Sequence, residues 1–188
     1  MITVKENDEI NEELLDQAFD YERKIWPEGS YAYLPEDYLK SLFKESREGF
    51  FVACVDGSYA GHFYVISCIQ EDIDKCFASD DFMVLKNRGM KKGDNILYLY
   101  TAVIKEEYRG SGCMKELGRA FVRYLDRRER EGCFVSKVYC EAVSTDGARI
   151  VTQGFGMRPL DTDEKGIGHY YSDDGLREYR NRMRDPEE

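Results

Sequence analysis

The run Tyr108-Arg109-Gly110-Ser111-Gly112-Cys113-Met114-Lys115-Glu116-Leu117 joins an uncharged stretch ending in Ala102-Val103-Ile104 to an apolar stripe at Leu117, Ala120, Phe121, Tyr124 and Leu125. Glycines at 110 and 112 remove Cβ atoms from a tight turn, so successive backbone N–H groups at a helix start can converge on one anion, helped by the positive helix end. A pyrophosphate suits such a turn. Two other phosphate loops fit poorly. The P-loop needs Gly-x-x-x-x-Gly-Lys-Ser/Thr, and the dinucleotide fingerprint needs glycine where Lys115 stands. Ordinary helix capping under a solvated basic face is the competing reading. Residues 105–130 hold eight Lys or Arg against five Asp or Glu, a basic segment inside a chain of net charge −10.

The elements that would position this turn follow from patterning. Ile96 to Ile104 is uncharged and suits a strand covered on both faces. The stripe from Leu117 predicts a helix to about Arg130, stopped by Gly132, and Phe134 to Val143 reads as a second buried strand. Strand, turn, helix and strand make one crossover unit with parallel edges. Upstream, residues 2–6 suit a short strand. Ile10, Leu14, Ala18, Tyr21 and Ile25 mark a first helix with Asn7 or Asp8 as cap, and Tyr38, Leu39, Leu42 and Phe43 mark a second. Phe50–Val55 and Tyr59–Ile69 flank Asp56-Gly57, a hairpin signal. Residues 70–95 are polar and irregular, exceed an ordinary connection, and read as an insertion, either a lid or a solvated excursion with a helical turn. Ala148–Gln153 predicts a short helix, and segments near 157–160 and 167–171 can close the sheet. The tail from about residue 172 is charged and helical, fraying at Asp185-Pro186-Glu187-Glu188.

Length and composition bound the function. A chain of 188 residues, 42% hydrophobic with 14 Tyr and 10 Phe, fits one domain over 1–188 and can bury roughly 70% of its unfolded surface. With 27 basic against 37 acidic residues, a broad grip on nucleic acid or an anionic membrane is disfavoured and a cationic substrate is the easier partner. The first 48 residues alone hold 13 acidic and 6 basic side chains. Six cysteines without a Cys-x-x-Cys pair, and only His62 and His169, argue against a zinc site. No signal-peptide pattern or membrane-length apolar run is evident, so a reduced, cytoplasmic protein is expected. Oligomeric state is left open, a homodimer included.

Ala102 to Gly112 resembles the acyl-CoA-binding motif of the GNAT N-acetyltransferase superfamily, Arg/Gln-x-x-Gly-x-Gly/Ala, with Arg109 and Gly112 matching and Met114 in place of the final Gly/Ala. The likeness runs in order from the N-terminal helices and hairpin to the Gly154-Phe155 pair. It implies an α/β fold with a mixed sheet of six to seven strands, a splayed parallel central pair and four to five helices. It also implies acetyl-CoA as cosubstrate. Backbone of Thr101, Ala102 and Val103 would pair with pantetheine, and the amides of Arg109, Gly110, Ser111, Gly112, Cys113 and Met114 would hold the pyrophosphate. Cys113 stands where the family usually has an aliphatic residue, so packing is its expected role.

The catalytic groups are less plain. The family's base positions align with Leu97 and Leu99, and its usual tyrosine acid with Ile150; none can transfer a proton. Glu141 is therefore the expected base or ammonium anchor, with Tyr139 and Cys140 beside it and one of the three facing the cleft by strand alternation. Ser144 could bond pantetheine or the thiol, or simply cap a helix. His169 and Tyr170 are late-strand candidates whose ordinary role is structural. The expected activity is direct acetyl transfer to a primary amine, either a small cationic amine or a lysine side chain. An acyl-CoA-binding regulatory module without turnover is the main alternative. A toxin-like enzyme acting on aminoacyl-tRNA is disfavoured by the acidic balance.

Overall fold

The computed structural model describes residues 1–30, 32–79, 81–163 and 165–184. Its strands are β1 (Ile2–Glu6), β2 (Phe50–Val55), β3 (Ser58–Cys68), β4 (Gly93–Ile104), β5 (Cys133–Ala142), β6 (Arg158–Thr162) and β7 (Gly168–Ser172). They form one sheet in the order β1-β2-β3-β4-β5-β7-β6. Neighbours run antiparallel except β4 and β5, which are parallel and joined by helix α4 (Cys113–Arg130). The β2–β3 connection turns on Asp56 and Gly57 at φ 49° and 84°, two left-handed residues whose twist matches that of a hairpin.

The remaining helices are α1 (Glu12–Ile25), α2 (Glu36–Glu45), α3 (Gln70–Ser79), α5 (Thr145–Arg149) and α6 (Arg177–Met183). One sheet face packs on α4 through a core that includes Phe51, Phe63, Leu97, Phe121, Val138 and Phe155. The other packs on α1, α2 and α3 through Phe19, Leu42, Phe50, Tyr64, Ile73 and Tyr98. Two apolar faces on one sheet require helices on both sides.

Several expectations change. The cap of α1 is Asn11, whose side chain accepts from the Leu14 amide at 2.9 Å, while Asn7 opens a separate 3-10 turn. Residues 70–95 are irregular only in part, over 85–92. Residues 70–79 form α3, whose Ile73 and Cys76 are fully buried, and Arg88 binds the buried Asp72 with Nη2 at 3.0 Å from Oδ2. Asn87 ties the following segment down, donating to Tyr64 Oη at 3.0 Å and accepting from the Ser67 amide at 3.2 Å. The apolar spacing Ile73, Cys76, Phe77 outweighed the charged residues around it. Helix α5 begins earlier than expected, at Thr145, and passes into a π turn over Ile150–Gly154. Among the described residues there are six α-helices, against an expected four to five or so. Asp80 and the terminal Asp185-Pro186-Glu187-Glu188 lie outside the described residues.

What positions the site is the parting of β4 and β5. Their register ends at Leu99 opposite Cys140; beyond it β4 stays paired with β3 to Ile104, and β5 with β7 to Ala142. A bulge marks the same place. Tyr64 faces Thr101 while Val65 faces Leu99, leaving Tyr100 as the extra residue. Such a bulge bends a strand and re-aims its side chains.

Candidate active site

At the start of α4, Gly110 and Gly112 have φ of 76° and 96°, and Gly112 is the N-cap in the left-handed conformation. An L side chain there would be strained, and a Cβ on Gly112 would meet only Ile2 Cδ1 at 3.8 Å, so conformation, not crowding, demands glycine. Ser111 turns its hydroxyl inward to the Tyr108 carbonyl at 2.6 Å. The amides of Arg109 and Ser111 are used within the turn, bonding to Glu106 and Tyr108 carbonyls. Those of Gly110, Gly112, Cys113, Met114 and Lys115 have no hydrogen bond among the described residues. Unpaired donors at the positive end of an 18-residue helix form an anion site.

From this turn a cavity of about 370 Å³ runs between the first turns of α4, the π turn and α6, lined by Met114, Lys115, Gly118, Gly154, Tyr179 and Arg182. It shares Phe63, Ile150 and Phe155 with a second cavity of about 170 Å³ that occupies the splay. The walls of the latter are Thr101, Ala102 and Val103 of β4 on one side and Glu141, Ala142 and Ser144 on the other. Trp26, Leu34 and Phe82 close it on the α1–α2 side. The two cavities adjoin at those three residues and together reach from the first turn of α4 to the open edges of the two strands.

Two carboxylates reach the splay cavity. Glu141, with only 2% of its side chain exposed, accepts a weak bond from Cys76 Sγ at 3.7 Å and lies 3.9 Å from His169 Nε2. His169 is itself held by Asp161, Nδ1 to Oδ1 2.5 Å, and stacks on Phe77 at 4.2 Å. Glu22 of α1 is buried against His62: Nε2 lies 2.8 Å from Oε1, and Tyr59 Oη is 2.6 Å from Nδ1 on the other edge of the ring. Tyr98 also lines the cavity, and its hydroxyl has no hydrogen-bond partner among the described residues. Burial, with the Glu141 carboxylate beside it, pushes that hydroxyl well above its ordinary pKa, so it stays a donor. Tyr100 behaves alike, by burial first and then by the Tyr38 hydroxyl and Glu22.

The profile of the acetyltransferase (GNAT) family matches residues 11–150, three quarters of the chain and the elements from α1 to α5. The chain belongs to that family. As a GNAT protein it is an acetyltransferase that takes acetyl-CoA as donor. No protein of curated function matches the sequence. Among solved structures the GNAT fold is shared with Ard1 from Thermoplasma volcanium, 14% identical with a TM-score of 0.58 over 91% of this chain and 96% of that one. It is shared too with Arabidopsis thaliana Naa50 in complex with a CoA-peptide bisubstrate analogue, 11% identical, TM-score 0.57, covering 91% and 97%. Drosophila melanogaster polyamine N-acetyltransferase aligns at 12% identity and TM-score 0.59 over 92% and 100%.

The residues present fit a CoA thioester, because the unpaired amides lie at one end of the adjoining cavities and unpaired strand edges at the other. Of the residues expected from sequence, Thr101, Ala102, Val103, Glu141 and Ser144 meet in the splay cavity, while Gly110, Gly112, Cys113 and Met114 present their amides at the turn. Cys113 is buried in the α4-side core, with Sγ 3.2 Å from Ser111 Oγ. Tyr139 is placed elsewhere. It shares the α3-side face of β5 with Glu141 but stands two residues earlier, under α3 and outside the splay cavity, where its hydroxyl donates to Gln70 Oε1 at 3.1 Å. Leu97 and Leu99 belong to the α4-side core, so the strand's polar groups toward the amine side come from Tyr98 and Tyr100 instead. Ser144 caps α5 by accepting from the Gly147 amide at 3.0 Å and still keeps a hydroxyl proton to donate. Glu22 and Tyr98 were not anticipated. The signal for Glu22 was its place in the apolar stripe Leu15, Ala18, Phe19, Glu22, where a carboxylate is out of keeping.

Proposed function

We propose that this enzyme transfers the acetyl group of acetyl-CoA to a primary amine, a small cationic amine or a lysine side chain, by direct attack in a ternary complex. The observation that carries the reading is one cavity, at the parting of β4 and β5, walled by both a buried carboxylate on β5 and the unpaired edge of β4. Acetyl-CoA supplies the thioester carbonyl that the amine attacks. Backbone at Thr101–Val103 orients the pantetheine arm as an added strand, and the amides of Gly110 and of Gly112 to Lys115, rather than those of Arg109 and Ser111 that the turn itself uses, hold the diphosphate. Glu141 takes the proton that the amine must lose. Tyr98 and Ser144 donate to the charge that develops as the thiol leaves. Burial of the Glu141 side chain and of Tyr98 strengthens their interactions.

The two carboxylates of the cavity wall favour a cationic acceptor, and so does the acidic character of α1 and α2, which carry Glu12, Glu13 and Asp37 besides Asp16, Asp20 and Glu36 paired with Lys40 and Arg23. The Drosophila neighbour is described as a polyamine acetyltransferase that forms N-acetylagmatine, which is in keeping with that class. We read the compartment as cytoplasm, on six reduced, buried cysteines. No described helix is long and apolar enough to cross a membrane. The test is an amine panel followed by release of the CoA thiol, with acetyl-, propionyl- and succinyl-CoA compared. Thiol release that depends on amine and is fastest with acetyl-CoA supports the reading. Amine-independent release contradicts it.

A further inference from the structure

Among the described residues the wall of the splay cavity carries two carboxylates, Glu22 and Glu141, and no Lys, Arg or His. Each carboxylate has a histidine behind it, outside the wall, Glu22 with His62 at 2.8 Å and Glu141 with His169 at 3.9 Å, and both line the same cavity, where an ammonium can approach them. The two are separate stations. Glu141 stands on β5 beside Cys140, which faces Leu99, whereas Glu22 comes from α1 and binds His62, which faces Val103. Strands β3 and β5 lie two strand spacings apart and these levels differ by about three residues, which sets the backbones of His62 and Glu141 roughly 14 Å apart, with the side chains of Glu22 and Glu141 lining one cavity between them. Each has a tyrosine beside it, Tyr98 with Glu141 and Tyr100 with Glu22.

Glu22 is also held more firmly than a solvated helix carboxylate. With the Tyr59 hydroxyl donating to Nδ1, His62 donates from Nε2 to Oε1. His62 is fully buried and Tyr59 nearly so. Two fixed partners in series define where the carboxylate sits, the arrangement of a recognition group. Trp26 and Leu34 beside it supply apolar wall for a methylene chain.

We propose that the acceptor is a diamine whose reacting nitrogen is presented to Glu141 while its second, non-reacting ammonium is bound by Glu22. This rests on the assignment of Glu141 to the reacting amine made above. An ammonium approaches a carboxylate oxygen to about 2.8 Å, so two ammonium groups on a short methylene chain bridge the pair. Glu22 is then a specificity residue, and His62 and Tyr59 position it.

The test compares butane-1,4-diamine with n-butylamine at saturating acetyl-CoA on the full chain. The wild type should prefer the diamine by about 30-fold in kcat/KM, the range of one charged hydrogen bond. Glu22→Gln keeps an acceptor for His62 but removes the charge, and should bring the preference to within about threefold by raising the diamine KM far more than that of n-butylamine. No preference in the wild type overturns the proposal, as does an equal fall in kcat on both amines. Equal thermal stabilisation of both proteins by acetyl-CoA verifies the variant's fold. Should Glu22→Gln fail to fold, Glu22→Asp withdraws the charge by one methylene and should shift preference toward pentane-1,5-diamine; an unmoved preference overturns the proposal. If neither amine is acetylated, the transfer reading falls, and calorimetry of butane-1,4-diamine on CoA-saturated protein decides separately. Binding present in the wild type and lost in Glu22→Gln supports the anchor; binding absent, or retained in the variant, overturns it.

Discussion

Gly112 illustrates how one residue type serves two demands at once. Its φ of 96° admits the turn, and its missing side chain leaves the space before the α4 amides open. Gly112→Glu would strain the turn and set a negative charge against a diphosphate, so thermal stabilisation by acetyl-CoA should vanish; full stabilisation in the variant would refute the cradle. Glu141→Gln acts in the splay cavity. It should lower kcat by about 100-fold or more while leaving acetyl-CoA affinity within about twofold, the pattern of a lost proton acceptor. Unchanged turnover removes Glu141 from the mechanism. Both residues could be picked from the sequence, since glycine spacing and a strand carboxylate are visible signals. Glu22 was hidden by its neighbours. Helix α1 begins with two glutamates and carries aspartates on its wet face, and only the three-dimensional placement separates a carboxylate inside the apolar stripe from those outside it.

At the level of elements, local periodicity set most of the architecture. The stripe of α4, the uncharged β4 and the Asp56-Gly57 turn each point to one conformation, and the structure adopts it. Helix α3 was obscured because Glu71, Asp72, Asp74 and Lys75 surround its apolar residues, and Asp72 is buried only through Arg88, a partner 16 residues away. The bulge at Tyr100 is likewise set by long-range pairing with β3, which no local pattern encodes. Helix α6 is a further element fixed at distance. Arg180 and Arg184 both bond Asp126 of α4, at 2.7 and 2.8 Å, and Tyr179 packs on Phe155 at the wall of the larger cavity. Burial opposes ionisation of Asp126, but the hydrogen bonds from Arg184 and Arg180 outweigh it and hold the carboxyl below its ordinary value. A lowered native value stabilises the fold above the unfolded-state value, and that contribution fades as pH falls through the native one. Asp126→Asn should therefore cost about 1–2 kcal/mol at pH 7 and progressively less in acid. Urea denaturation at several pH values checks this, and a cost independent of pH would contradict it.

For the whole molecule, the distribution of charge matters more than its total. A chain of net charge −10 carries a basic α4 on one face of the sheet and the acidic α1 and α2 on the other. This polarity should steer an anionic donor and a cationic acceptor to different faces. Acceptor kcat/KM should then fall several-fold as ionic strength rises from about 20 to 200 mM, because screening shortens the reach of surface charge. A salt-independent value would show that the helix faces only solvate the protein. The sheet edges are managed as well: β6 is short, exposed and carries Pro159, which cannot donate to an added strand. The account as a whole turns on where the thioester carrier lies. A crystal structure with acetyl-CoA should show the diphosphate bonded to the amides of Gly112 to Lys115 and the thioester in the splay between Val103 and Ser144. The carrier bound on any other face, or its diphosphate away from those amides, would contradict it.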